Sequence, residues 1–153
     1  MPLSTELYLI FLSCALELKL NNNIIMSNLI VDAARDKIFL TIIVSGNIYT
    51  SSYENSKINF EGLMNLINKF LKNNTSSLDN LGAIYVNRGP GSFAGIRNSL
   101  STVKALFLTK KIDYYCFSFE DFKEIETIEY VDVPQLCAKY KIKKNLINPI
   151  YLS

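Results

Sequence analysis

The hydrophobic pattern of the chain changes its period once, and this change restricts the fold more than any other feature. Three apolar or β-branched runs come first, at Leu29–Val31, Ile38–Val44 and Ile48–Tyr53. Gly46 and Asn47 separate the second and third runs, and both residues tolerate positive φ, so we expect a tight hairpin there. Three successive strands predict a β-meander at the start of the fold.

A helical period replaces the strand period after the meander. Apolar residues recur at three- and four-residue spacing over Phe60–Leu71, which is typical of one face of an amphipathic helix. We expect Asn59 to be its N-cap, with Glu61 in its first turn, and Asn73-Asn74 to end it in the left-handed conformation.

Strands and helices alternate from there. We predict a strand at Ala83–Val86, a turn at Asn87–Gly91, a helix from Ser92 to about Thr109, a strand at Tyr114–Phe117 and a short helix at Phe119–Glu124. The apolar stripe of the longer helix is expected to face the sheet, and it comprises Phe93, Ile96, Leu100, Val103 and Phe107. The resulting order, βββαβαβα, is the layout of an α/β lobe of the ribonuclease-H-like or actin-like type.

Composition excludes several kinds of site. The chain of 153 residues is long enough for one domain, or for one domain and a fragment, and its net charge of +2 provides no broad basic field for nucleic acid. It contains no histidine, which excludes Ser-His-Asp and Cys-His catalysis and histidine-based metal sites. Cys14, Cys116 and Cys137 lack CxxC spacing and are odd in number, so we expect reduced thiols in a cytoplasmic protein.

The two ends of the chain carry weaker signals. Leu7–Leu16 is apolar but too short for a membrane span, which needs about 20 residues. Met26 directly precedes the first strand and is a candidate initiator, so we interpret residues 1–27 as an N-terminal extension. At the other end Pro149 excludes a helix, and Ile150–Leu152 is a candidate terminal strand.

Two oppositely charged runs follow the predicted short helix. Glu120–Asp132 is acidic and Lys139–Lys144 is basic. We interpret them as solvated faces that pair with each other. The alternative interpretation is that the lysine run binds RNA.

The segment Asn87–Arg97 carries the clearest local signal. Gly89 and Gly91 permit backbone angles that other residues resist, Pro90 stiffens the turn, and Ser92 can cap the helix that follows. Free N–H groups at such a position can hold an anion. The Walker and GxGxxG spacings are absent, so a purely structural turn is the other interpretation.

The residues of this segment resemble the signature of the TsaB (YeaZ-type) family, G-R-G-P-G-S-F-T-G-[VI]-R. Asn87 stands where the family has Gly, Ala94 where it has Thr, and Asn98-Ser99 where Ile-Gly usually follows. Leu29–Asp32 is similar to the family's first strand, although Ala33-Ala34 replace its Thr-Ser.

The resemblance covers most of the chain and is interrupted once. Asn55-Ser56 is similar to the family's His-Ser, and Pro149–Ser153 is similar to its ending, Pro-x-Tyr-Leu-Arg. The resemblance thus implies a first lobe over residues 28–122 and a shortened remnant of the second lobe over residues 123–153. Lys123–Asn148 is too short to rebuild a second lobe, because a chain below about 40 residues rarely holds its own core. An internal deletion would explain this.

The resemblance implies a non-catalytic subunit. TsaB proteins are bacterial partners that bind and activate TsaD, with the ATPase TsaE, in the N6-threonylcarbamoyladenosine (t6A) modification of tRNA. It implies a helix–helix contact with TsaD, contact with tRNA only through the complex, no cofactor or metal, no membrane and a possible homodimer in isolation. The loop Asp32–Arg35 has no Gly for a phosphate hairpin, in agreement with such a role.

We place the expected partner interface on the signature and the helix that follows it. Small side chains at helical spacing, such as Ala94, Asn98, Ser101 and Ala105, would let another helix approach closely, unless this ridge packs in the core of the chain itself. The interface residues expected are Arg88, Gly89, Pro90, Gly91, Ser92, Ala94, Gly95, Arg97, Asn98, Ser101, Thr102 and Ala105.

Two other functions stay open at this point. One is a small actin-like nucleotide-binding transferase that uses Asp32 and the Gly89–Ser92 loop. The other is a self-associating structural module that uses the same interface to bind a second copy of itself.

Overall fold

The computed structural model describes residues 26–152, together with residues 5, 6, 9, 10 and 12. Most of the predicted extension over residues 1–27 therefore lies outside the described residues. Cys14 and Ser153 also lie outside them. Within the described residues, none of the helices combines the length and the apolar content that crossing a bilayer requires.

A five-stranded mixed sheet forms the centre of the molecule. Its strands are β1 (Ser27–Asp32), β2 (Lys37–Val44), β3 (Asn47–Glu54), β4 (Leu81–Asn87) and β5 (Asp113–Phe117). Their spatial order is β3-β2-β1-β4-β5, with β1, β2 and β3 antiparallel and with β4 and β5 parallel to β1. The predicted meander and the α/β fold of the actin-like or ribonuclease-H-like type are confirmed.

Four α-helices accompany the sheet within residues 26–152. They are α1 (Lys57–Glu61), α2 (Leu63–Asn73), α3 (Phe93–Lys110) and α4 (Val133–Lys139). Single 3-10 turns lie at Leu78–Asn80, Phe119–Phe122 and Tyr130–Asp132.

The two faces of the sheet are covered by different parts of the chain. The first face packs against α1, α2 and α3 through residues such as Phe70 and Val103. The second face packs against the residues after β5, including Phe122 and Val133. Parallel sheets need apolar cover on both faces. Residues 118–152, which we call the late segment, supply the second cover. The sequence suggested that most of this segment was a remnant.

The first helical region differs from the prediction. Ser56, not Asn59, caps α1 by accepting a hydrogen bond of 3.3 Å from the backbone N–H of Asn59. The helix breaks at Gly62, so Glu61 ends α1 and does not lie in a first turn. The second part ends at Asn73 as expected, but the left-handed residue is Thr75.

Other local predictions also need correction. The hairpin turns at Ser45-Gly46, both with positive φ, so that Asn47 begins β3. Phe119–Phe122 is a 3-10 turn, and α4 was not predicted. Ile150–Leu152 is not a strand. The expected pairing of the two charged runs is wrong for the described residues, where Lys144 pairs with Asp113 instead.

Candidate partner-binding site

The turn between β4 and α3 fits closely against the loop after β1. Gly89 has a φ of +104°, and a Cβ there would collide with the carbonyl of Ile150. The backbone N–H of Ser92 donates to the carbonyl of Ala34 at 2.8 Å. Ser92 also caps α3 as predicted, because its Oγ accepts from the N–H of Gly95 at 3.2 Å.

Two glycines make this contact possible. A Cβ at Gly91 would overlap the carbonyl of Ala34, and one at Gly95 would overlap the carbonyl of Ala33. The loop after β1 and the start of α3 are thus in direct backbone contact. The N–H of Ser92 already donates to Ala34 and that of Gly95 to Ser92, so the geometry favours the structural interpretation of the turn over the anion-binding one.

Asp32, at the end of β1, is fully buried, and both of its carboxylate oxygens have hydrogen-bond or ion-pair partners. One carboxylate oxygen accepts from the N–H of Ala34 (3.1 Å) and from the amide of Asn87 (3.0 Å). The other oxygen accepts from the hydroxyl of Tyr130 (2.8 Å) and pairs with Nε of Arg35 (3.2 Å). Burial raises the pKa of Asp32 above its ordinary value, and these donors partly oppose that rise.

Asn87 occupies the position where the TsaB signature has Gly, and its side chain has two partners. Its amide donates to Asp32, while its Oδ1 accepts from the N–H of Gly89 at 2.9 Å. Asn87 therefore links the end of β1 to the glycine turn.

Arg88 points into the molecule, toward the late segment. Its guanidinium forms a bidentate contact with Asp121, at 2.6 and 3.3 Å, and donates to the carbonyl of Asn148 at 3.1 Å. The carbonyl of Arg88 accepts from the N–H of Ile150 at 2.8 Å. Arg88 thus holds together three segments of the same chain.

The described residues offer little for covalent or metal chemistry. Burial raises the pKa of the Cys116 and Cys137 thiols to about 12, so both stay protonated near neutral pH. No cluster of three or more cysteine or carboxylate side chains that could hold a metal occurs in this part of the chain.

The outer face of α3 presents small side chains to solvent. Ala94, Ser101 and Ala105 are exposed, whereas Gly95 and Ser99 are buried. The ridge therefore does not pack in the core, which was the other possibility left by the sequence. Phe93, expected to face the sheet, is 58% exposed, and its ring contacts Tyr151 at 4.8 Å between centroids.

Polar groups on this face are already bonded within the helix. The Asn98 amide and the Ser101 and Thr102 hydroxyls each donate to the carbonyl four residues earlier, all at 2.8 Å. Such back-bonding satisfies donors that would otherwise need water. A partner could cover these groups at little desolvation cost.

A groove runs along α3, between it and the α1–α2 pair, and we call it the docking groove. Its end near the start of α3 has a volume of about 550 Å³, and its far end has a volume of about 520 Å³. Phe60, Glu61, Asn98 and Ser101 line both ends.

The structure separates the expected interface residues into two groups. Ala94, Arg97, Asn98, Ser101, Thr102 and Ala105 line the docking groove. Arg88, Gly89, Pro90, Gly91, Ser92 and Gly95 form or support the turn. The contributions of Lys57, Phe60 and Glu61 were not predicted, because the sequence pattern did not indicate a separate helix α1.

Comparison with known proteins places this geometry in context. A family model described as TsaD: tRNA N6-adenosine threonylcarbamoyltransferase matches residues 54–118, which is less than half of the chain. No curated protein sequence matches the chain.

Solved structures resemble it more broadly. YeaZ from Pseudomonas aeruginosa has a TM-score of 0.56 and 19% identity, over 61% of this chain and 44% of that one. An uncharacterized protein with similarity to peptidase YEAZ from Pseudomonas aeruginosa has a TM-score of 0.56 and 19% identity, over 61% and 43%. RuvC from T. thermophilus, in complex with Holliday junction substrate, has a TM-score of only 0.46, which supports no conclusion.

These observations define the chain as one α/β lobe with a fold of the actin-like or ribonuclease-H-like class and an open groove between α3 and the α1–α2 pair. Within that class its fold resembles that of YeaZ, which confirms at the level of the fold the resemblance to TsaB (YeaZ-type) proteins. The chain spans less than half the length of the YeaZ structures that it matches.

Proposed function

We propose that this chain is a non-catalytic subunit that binds and activates a TsaD-type protein in the t6A modification of tRNA. A TsaE-type ATPase and the tRNA would join through the complex. The observation that supports the proposal most is the docking groove, in which small side chains of α3 line an open surface beside α1. Ridges of small residues favour close helix–helix packing.

The match to the TsaD family model supports the choice of partner. Residues 54–118 include α1, α2 and α3, which are the elements that border the docking groove. A TsaD-type partner would carry a similar helical face. Two similar faces can pair about an approximate two-fold axis, as in isologous dimers.

The surroundings of Asp32 support a non-catalytic role for this chain, with the transfer reaction carried out by the partner. A transferase of the actin-like type would need this carboxylate and the Gly89–Ser92 loop to be free for a nucleotide and its metal. Instead, Asp32 has four partners within the chain, and the loop contacts Ala34. We therefore favour the subunit over the transferase.

Co-expression with the TsaD-type protein of the same source tests the proposal. We expect the two proteins to co-purify and the chain to restore t6A in a strain that lacks its TsaB. Ser101→Trp should lower the affinity at least about tenfold, because a bulky ring would hold a partner helix away. Asn68→Trp, on an exposed position of α2 that does not line the groove, is the matched control.

The alternatives predict different results. Tight ATP binding by the isolated chain would favour the transferase. A dimer that persists when the TsaD-type protein is added would favour the self-associating module. Failure to co-purify, together with no rescue of t6A, would contradict the proposal.

A further inference from the structure

The C-terminal segment Asn148–Leu152 lies beside the docking groove and is held there by defined contacts. The N–H of Ile150 donates to the carbonyl of Arg88 at 2.8 Å, and the carbonyl of Asn148 accepts from the Arg88 guanidinium at 3.1 Å. Gly89 has no side chain, which lets the carbonyl of Ile150 approach its backbone. The segment is therefore docked on the turn that begins α3.

Its last described residues extend the apolar surface of the groove. The ring of Tyr151 packs on Phe93, and Phe93 lines the groove. Tyr151 is 43% exposed and Leu152 is 74% exposed. A partly exposed tyrosine beside a groove is typical of the anchor residues of protein interfaces.

The charge of the groove indicates what kind of surface would fit. Lys57 pairs with Glu61, and Lys110 pairs with Asp79. Arg97 also lines the groove but forms no ion pair with another described residue. A helix with small or apolar side chains and one carboxylate opposite Arg97 would complement both the shape and the charge.

We propose that Asn148–Leu152 forms a third side of the docking groove and that Tyr151 and Leu152 contact the partner subunit directly. This inference rests on the proposed function and adds the segment to the partner surface. Arg88 is then a positioning residue, which sets the segment on the turn without touching the partner.

The test measures affinity for the full-length TsaD-type protein of the same source by calorimetry. We expect Tyr151→Ala to weaken binding about tenfold while the thermal midpoint changes little. Tyr49→Ala on β3 is the matched control, because Tyr49 has nearly the same exposure, 44%, and lies away from the groove. A photo-crosslinking residue in place of Leu152 should capture the partner, whereas one in place of Tyr49 should not.

The outcomes separate the two proposals. If the unmodified chain does not bind the TsaD-type protein, both are overturned. If it binds and Ser101→Trp abolishes binding, but Tyr151→Ala has no effect and position 152 gives no cross-link, only this inference is overturned. Tighter binding by Tyr151→Ala would also overturn it, because the segment would then obstruct the groove.

Discussion

The hydroxyl of Tyr130 donates a hydrogen bond of 2.8 Å to the carboxylate of Asp32, across 98 positions of sequence. Asp32 ends β1, and Tyr130 belongs to the late segment that covers the second face of the sheet. The bond therefore attaches that cover to the sheet at the strand end where the β1 loop meets the glycine turn.

Loss of this bond should destabilise the protein. We expect Tyr130→Phe to lower the free energy of unfolding by about 1.5–3 kcal/mol, the range for hydrogen bonds to charged groups, because Asp32 would keep its burial and lose a donor. Urea unfolding measures the change. Tyr49→Phe removes a hydroxyl from an exposed ring and should have almost no effect. Equal midpoints for the two variants would contradict the structural role of the bond.

Asp32 should also make stability depend on pH. Burial raises its pKa above the ordinary value of 3.8, so between pH 3.8 and the pKa of the folded state the carboxyl group holds a proton in the folded protein that it has lost in the unfolded chain. The free energy of unfolding should therefore fall as pH rises from 3.8 through the pKa of the folded state. Carbon NMR of the carboxyl group measures that pKa directly.

The same titration offers a second comparison. Tyr130 lowers the pKa of Asp32, so Tyr130→Phe should raise it further. Asp32→Asn should remove this part of the pH dependence of stability. A pKa at or below 3.8 in the unmodified protein would show that the donors outweigh burial.

Much of the fold could be predicted from sequence because it depends on local patterns. The β-branched runs correctly predicted the meander, and the Gly-rich turn followed by Ser92 correctly predicted the start of α3. The break at Gly62 was missed, because the apolar period continues through α1 and α2. Phe93 was placed on the wrong face of α3, because helical spacing alone cannot show that this first-turn residue is exposed and contacts Tyr151, which is distant in sequence.

The candidate site was less predictable because its key contacts are distant in sequence. Arg88 meets Asp121 across 33 positions and Asn148 across 60. No periodicity encodes such pairs. The small ridge on α3 could be recognised from spacing, but whether it faces solvent depends on how α1 and α2 cover the sheet.

Any larger residue at Gly95 should destabilise the protein. A methyl group there would overlap the carbonyl of Ala33 and press on the ring of Phe60, so α3 would have to move away from the β1 loop. We expect Gly95→Ala to cost about 1–3 kcal/mol, the usual cost of overpacking. Gly82→Ala is the control, because the nearest atom to its added methyl is a side-chain carbon at 3.3 Å. Thermal unfolding compares the two, and similar losses would contradict the close contact at Gly95.

The ion pair of Arg88 and Asp121 should contribute to stability rather than to partner contact. Both side chains are mostly buried, with 16% and 19% exposed, and their contact is bidentate. We expect Arg88→Ala to lower the free energy of unfolding by about 1.5–3 kcal/mol. A double-mutant cycle with Asp121→Ala should give a coupling of about 0.5–3 kcal/mol, as residues in contact usually do.

An exposed ion pair of the same chain provides the comparison. Lys144 pairs with Asp113 at 3.2 Å on the surface, so Lys144→Ala should cost less than about 1 kcal/mol. Raising the salt concentration should weaken the Lys144–Asp113 coupling more than the Arg88–Asp121 coupling, because water and ions reach the former. If Arg88→Ala left unfolding unchanged but abolished binding of the TsaD-type protein, Arg88 would be an interface residue after all. The intramolecular bonds of its guanidinium to Asp121 and Asn148 favour the opposite result.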